Sequence, residues 1–174
     1  NSFGIYPVVI TRQWPAAIKS DNYFEQAVGK EVIIEKHENY EVHYVPFLGN
    51  YRTKQVENNP KASGSLILKF FVAAELIFRY FFTSLLPYGN LFTYALQYIK
   101  NNKVDKILIS GSPFMLFKIG YLAKKKFNIP WIADYRDGWT TDNYAEEAGL
   151  LTKPVHILNK YFEKKWMVVI FCSS

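Results

Sequence analysis

Cysteine is almost missing from this chain. Cys172 is the only one in 174 residues, so no intramolecular disulfide can form and a cysteine-based metal site is excluded. A reducing compartment, the cytoplasm, is the expected setting. Histidine is scarce too: His37, His43 and His156 share no metal-ligand spacing, so no metal site is expected and each reads as a surface or core residue. No G-x-G-x-x-G occurs, which excludes the dinucleotide fingerprint, and Ser110-Gly111-Ser112 lacks the lysine and spacing of a phosphate loop. No uncharged apolar run reaches the roughly 18 residues of a membrane span, so the expectation is a soluble or peripherally attached protein.

Negative charge is the minority sign. Against 15 acidic residues stand 21 lysines and arginines, a net charge of +6 and a pI of about 9.2, which favours anionic partners. The basic residues do not interleave with aromatics along one face, so nucleic acid is not the expected partner. What is abundant is apolar and aromatic: 49% hydrophobic and 18% aromatic residues point to a globular chain with a heavy core or a purposeful aromatic surface. By size, residues 1–174 make a single domain.

The elements alternate. Tyr6 to Thr11 is apolar and β-branched, a strand ending at Arg12-Gln13-Trp14-Pro15. Before it, Phe3-Gly4-Ile5 reads as a helix tail closed by a left-handed glycine, and the opening without methionine suggests a fragment lacking its first strand and helix. Asp21 to Gly29 is loop or short helix. Glu31 to Glu35 and Tyr40 to Val45 bracket His37-Glu38-Asn39 as a hairpin or extended excursion. Residues 47–65, rich in Asn, Gly, Pro, Lys and Ser, read as a mobile surface loop.

Leu66 to Leu86 is the most apolar segment. At 100° per residue its Lys69, Glu75 and Arg79 fall within an arc of roughly 120°, leaving about 240° crowded with phenylalanines, more than one buried stripe needs. Either flanking helices cover the excess or it is a membrane-interface surface for an anionic bilayer. Asn90 is read as the N-cap of a helix ending at Asn101-Asn102. Lys106 to Ile109 reads as a buried strand with Ser110-Gly111-Ser112-Pro113 at its tip. A helix follows from Phe114 to Phe127, with Lys124-Lys125-Lys126 in its last turn, favourable to the dipole, and Asn128 at its end. Pro154 sits in the first turn of a last helix reaching Lys165, and Met167 to Phe171 reads as a final strand. Strand, helix and strand between 106 and 133 form a βαβ unit with a parallel pair. The fold class is therefore α/β, a doubly wound parallel sheet.

Ile129-Pro130-Trp131-Ile132-Ala133-Asp134-Tyr135-Arg136-Asp137-Gly138-Trp139 carries the chemistry. Pro130 marks the start of a short buried strand, and Asp134, Arg136 and Asp137 fall at or just past its carboxyl end, where ligands bind in open α/β sheets. Two carboxylates and a guanidinium within four residues of such a tip invite a functional reading. The competing reading is a structural ion cluster capping the turn, with Trp139 plugging the core.

Together with Val104-Asp105-Lys106-Ile107-Leu108-Ile109-Ser110-Gly111-Ser112-Pro113, this stretch resembles the amino-terminal, acceptor-side domain of GT-B glycosyltransferases of the GT4 family, whose bacterial branch carries a giPw-aDfRDpW pattern after a pDviitSsPp strand tip. Gly138 stands in place of the usual proline, and both suit a turn. The likeness is specific from Tyr88 to Ser174, weak from Val8 to Pro46, and slight across 47–86. It implies a Rossmann-like half of a two-domain enzyme that moves a sugar from a nucleotide-sugar donor to a saccharide or lipid-linked acceptor, for bacterial surface polysaccharide or glycolipid, at the inner face of the plasma membrane. The carboxyl-terminal donor domain would lie beyond Ser174, and this part alone would be inactive and hold no cofactor. The family retains anomeric configuration without an established protein nucleophile, so the resemblance offers Asp137 and Asp134 only as candidates for the catalytic role, with Arg136, Ser110, Ser112 and Trp139 on the acceptor. The alternative remains a non-catalytic Rossmann-like binding module.

Overall fold

The computed structural model describes residues 4–15, 27–49, 70, 74, 87–111, 114–134 and 153–167. They are of mixed α/β class, and the chain divides into two compact units, residues 1–95 and 96–174.

The first unit holds a three-stranded sheet in the order β1-β3-β2, made of β1 (Val8–Arg12), β2 (Ile33–Lys36) and β3 (Glu41–Val45). β1 and β3 run parallel, with Ile10 opposite His43 and Arg12 opposite Val45. β2 runs antiparallel to β3, because the link through His37, Glu38 and Asn39 is too short for a parallel crossover. His37 stacks on Tyr40 across that turn, ring centroids 4.4 Å apart. The sheet is therefore mixed where a wholly parallel one was expected. β1 also starts two residues later than Tyr6, and Gly4 has the left-handed φ of 62°.

Gln13 fastens the hairpin to the end of β1. Its side-chain amide donates to the Glu31 carbonyl at 2.6 Å and to the Tyr44 carbonyl at 3.0 Å, while its backbone N–H donates to Val45 O. Gly29 lies against this amide with φ 76°, and a Cβ there would overlap Gln13 Oε1, so both backbone angle and space call for glycine. Phe47, placed by sequence in a mobile surface loop, is instead buried and exchanges two backbone hydrogen bonds of 2.8 Å with Val28. Its apolar ring outweighs the polar composition that follows, and residues 50–65 lie outside the described ones.

Helix α1 (Gly89–Asn101) carries Leu91, Phe92, Ala95 and Ile99 buried at helical spacing. Asn90 is not its N-cap. It sits inside the first turn, and its amide donates to Pro46 O at 3.1 Å, tying the helix start to the end of β3. The far end is polar as expected, Asn102 donating from both backbone and side chain to Tyr98 O.

The second unit contains a parallel pair, β4 (Ile107–Ser110) and β5 (Trp131–Asp134), joined through a 3-10 turn (Phe114–Leu116) and helix α2 (Phe117–Phe127). Asn128 ends α2 in the left-handed conformation, φ 56°, which asparagine tolerates; its amide bonds back to Ala123 and Lys124 carbonyls and its side chain accepts from Lys124 Nζ at 2.8 Å. Gly120 lets α2 lie close to β5, since a Cβ there would overlap the Trp131 indole. Phe117, wholly buried, sits 5.9 Å from the same ring. β4 is not the buried strand expected: alternation puts Ile107, Ile109, Trp131 and Ala133 on one face, and leaves Leu108 69% exposed beside Ile132 on the other. Helix α3 (Lys153–Met167) begins with Pro154 in its first turn and packs against α2.

Of the expected 66–86 helix, Phe70 and Ala74 are described, both helical, with Phe70 exposed. Residues 168–174, with the expected last strand and Cys172, lie outside the described residues. No helix among the described residues is long and apolar enough to cross a membrane.

Candidate functional site

Ser110 and Asp134 are the last residues of β4 and β5 and are register partners, so the parallel pairing itself sets their side chains next to each other on one face. The Ser110 hydroxyl donates to Asp134 Oδ2 at 2.9 Å. Both residues are exposed at the carboxyl ends of the strands, where loops rather than strands must cover whatever binds. The ladder extends one step further as Gly111 N–H donates to Asp134 O at 3.0 Å. Gly111 is buried, and a Cβ would come within 2.7 Å of the Phe114 ring, so glycine lets the strand tip turn under the aromatic pair Phe114 and Phe117.

Chemically, this pair offers acceptors. One carboxylate oxygen accepts the serine O–H hydrogen bond, and the remaining oxygen lone pairs are left for hydroxyl or amine donors of a ligand. Of the residues that sequence reading placed in the site, Ser110 and Asp134 are thus brought together. Ser112, Arg136, Asp137 and Trp139 lie outside the described residues. Among the described residues no group of three His, Cys, Asp or Glu gathers as a metal site.

Two arrangements in the first unit escaped the sequence reading. His43, buried on β3, has Nδ1 2.7 Å from the Tyr94 hydroxyl of α1, and Glu41 Oε1 lies 3.1 Å from Nε2. Burial, and then the nearby Glu41 carboxylate, push the Tyr94 phenol above its ordinary pKa. The signal was present in Glu41, His43 and Val45 alternating onto one face, but the partner was 51 residues away. Arg12, buried at the carboxyl end of β1, has its guanidinium carbon 3.8 Å from the Trp14 ring centroid and 4.2 Å from that of Phe47. Tyr88 lies further out at 5.9 Å, and packs edge-on to Phe47. Burial raises the Tyr88 pKa, and Arg12 partly opposes that rise.

Compared with family models, with curated proteins and with solved structures, the chain matches none of them.

Proposed function

We propose that this chain is the acceptor-binding part of a nucleotide-sugar-dependent glycosyltransferase of Rossmann-like organisation, retaining in stereochemistry, working on a saccharide or lipid-linked acceptor of bacterial surface polysaccharide or glycolipid at the inner face of the membrane. The observation that carries this reading is the exposed Ser110–Asp134 pair at the carboxyl ends of two parallel strands, directly before Tyr135-Arg136-Asp137. Acceptor hydroxyls donate to Asp134 and Asp137, and Arg136 orients them or meets an acceptor phosphate. In the retaining reaction the donor's leaving phosphate takes the acceptor proton, so these residues bind and orient, and no base is assigned among them.

The test is nucleotide-sugar turnover by the intact protein with Asp134→Asn, Asp137→Asn and Ser110→Ala. Each lost hydrogen bond to a charged group weakens acceptor recognition by about tenfold to a hundredfold, read as kcat/KM for the acceptor, with the melting temperature unchanged. Absence of turnover or hydrolysis of every common nucleotide sugar overturns the proposal. Unchanged activity with a lowered melting temperature does so as well, and favours the structural ion cluster of a binding module.

A further inference from the structure

Helix α3 turns one side outward among the described residues. Phe162 and Trp166 are buried, their rings 5.1 Å apart, and they fix which side of the helix faces inward. On the other side, Ile157 is 67% and Tyr161 56% exposed, and Lys160, Lys164 and Lys165 are exposed with them. At 100° per residue these residues fall within one arc of about 140°. Within it the order around the helix is Lys160, Lys164, Ile157, Tyr161, Lys165: an apolar centre with ammonium groups along both borders. Lys165 Nζ lies 5.5 Å from the Tyr161 ring centroid, which keeps lysine and phenol side by side. Glu163, the acidic residue of this helix, falls outside the arc.

We propose that this face of α3 is a docking surface for an anionic phospholipid bilayer. Single exposed apolar residues are ordinary on a protein surface. Here Ile157 and Tyr161 stand one helical turn apart and are bordered by lysines, which is the arrangement an interfacial helix needs. The isoleucine enters below the headgroups, the tyrosine sits at headgroup level, and the lysine stems run along the apolar strip while their ammonium groups reach the lipid phosphates. Charge complementarity selects this occupant: a polyanion without an apolar layer would meet the lysines and leave Ile157 in water. The surface is formed by α3 alone, independently of the 66–86 segment, and it does not depend on the sugar-transfer reading. Each lysine near an anionic surface contributes on the order of a fivefold gain in partitioning, so the association is reversible and salt-sensitive.

The experiment is co-sedimentation of the intact protein with vesicles of phosphatidylcholine containing one third phosphatidylglycerol, and with vesicles of phosphatidylcholine alone, at low and high salt. The protein is expected to bind the anionic vesicles at low salt and to leave them at high salt. Combined Lys160→Gln, Lys164→Gln and Lys165→Gln weakens that binding on the order of a hundredfold. Combined Ile157→Ser and Tyr161→Ser weakens it by about tenfold. Lys103→Gln with Lys106→Gln, exposed lysines outside α3, changes it less than about threefold. Far-UV circular dichroism checks that each variant is folded, and the surface position of every altered residue makes unfolding an unexpected result. No binding at low salt overturns the proposal. So does equal binding to neutral vesicles, equal loss in the control pair, or full binding by the Ile157/Tyr161 variant, which would mark a plain polyanion site.

Discussion

His43 Nδ1 and the Tyr94 hydroxyl meet at 2.7 Å and thereby join β3 to α1 in a part-buried polar contact. Removing the hydroxyl leaves a buried imidazole nitrogen short of one partner. Tyr94→Phe is expected to lower unfolding stability by about 1–2 kcal/mol at neutral pH in urea titrations. A double-mutant cycle with His43→Leu should return a coupling of the same order, and additivity would show that the contact contributes nothing.

Alkaline stability follows from the phenols. The pKa values of Tyr94 and Tyr88 are raised above 10.0 in the fold, mainly by burial. Above pH 10 the unfolded chain has therefore lost phenolic protons that the folded one keeps, so stability is fully present below that pH and falls as the pH rises through the folded values. Tyr94→Phe should make this alkaline decline shallower, followed as melting temperature against pH.

Gly120 is where α2 approaches β5. Alanine is the better helix former by about 1 kcal/mol, yet its methyl would overlap the Trp131 indole. Gly120→Ala is expected to destabilise by ~1–3 kcal/mol and to shift the fluorescence of the displaced tryptophan. Trp131→Leu in the same chain should recover part of the loss by making room.

Arg12 lies against the Trp14 and Phe47 rings as a planar cation. Lysine keeps the charge but cannot stack. Arg12→Lys should cost about 1 kcal/mol in stability and expose the Trp14 indole further to solvent, seen as faster acrylamide quenching of its emission. Unchanged quenching would mean that the guanidinium does not cover the ring.

Secondary structure was mostly legible from local pattern. The β-branched run at 8–12, the hairpin through His37-Glu38-Asn39, the helix stopped by Asn128 and the Pro130-initiated strand all follow from residues within a few positions of one another. Misreadings came where a distant group competed. Asn90 has the side chain of a cap, but its amide is taken by Pro46 O. Phe47 opens a polar stretch, but Val28 pairs with it.

The sequence by itself determined the basic balance, the impossibility of a disulfide within these residues, the α/β alternation and the placing of Ser110 and Asp134 at strand ends, because each depends on composition or on neighbours along the chain. Only the tertiary structure decided that β1 and β3 pair in parallel, that His43 meets Tyr94, that Arg12 lies among aromatic rings, and which arc of α3 points outward. Those outcomes depend on the register between strands and the docking of helices, interactions that no local period encodes.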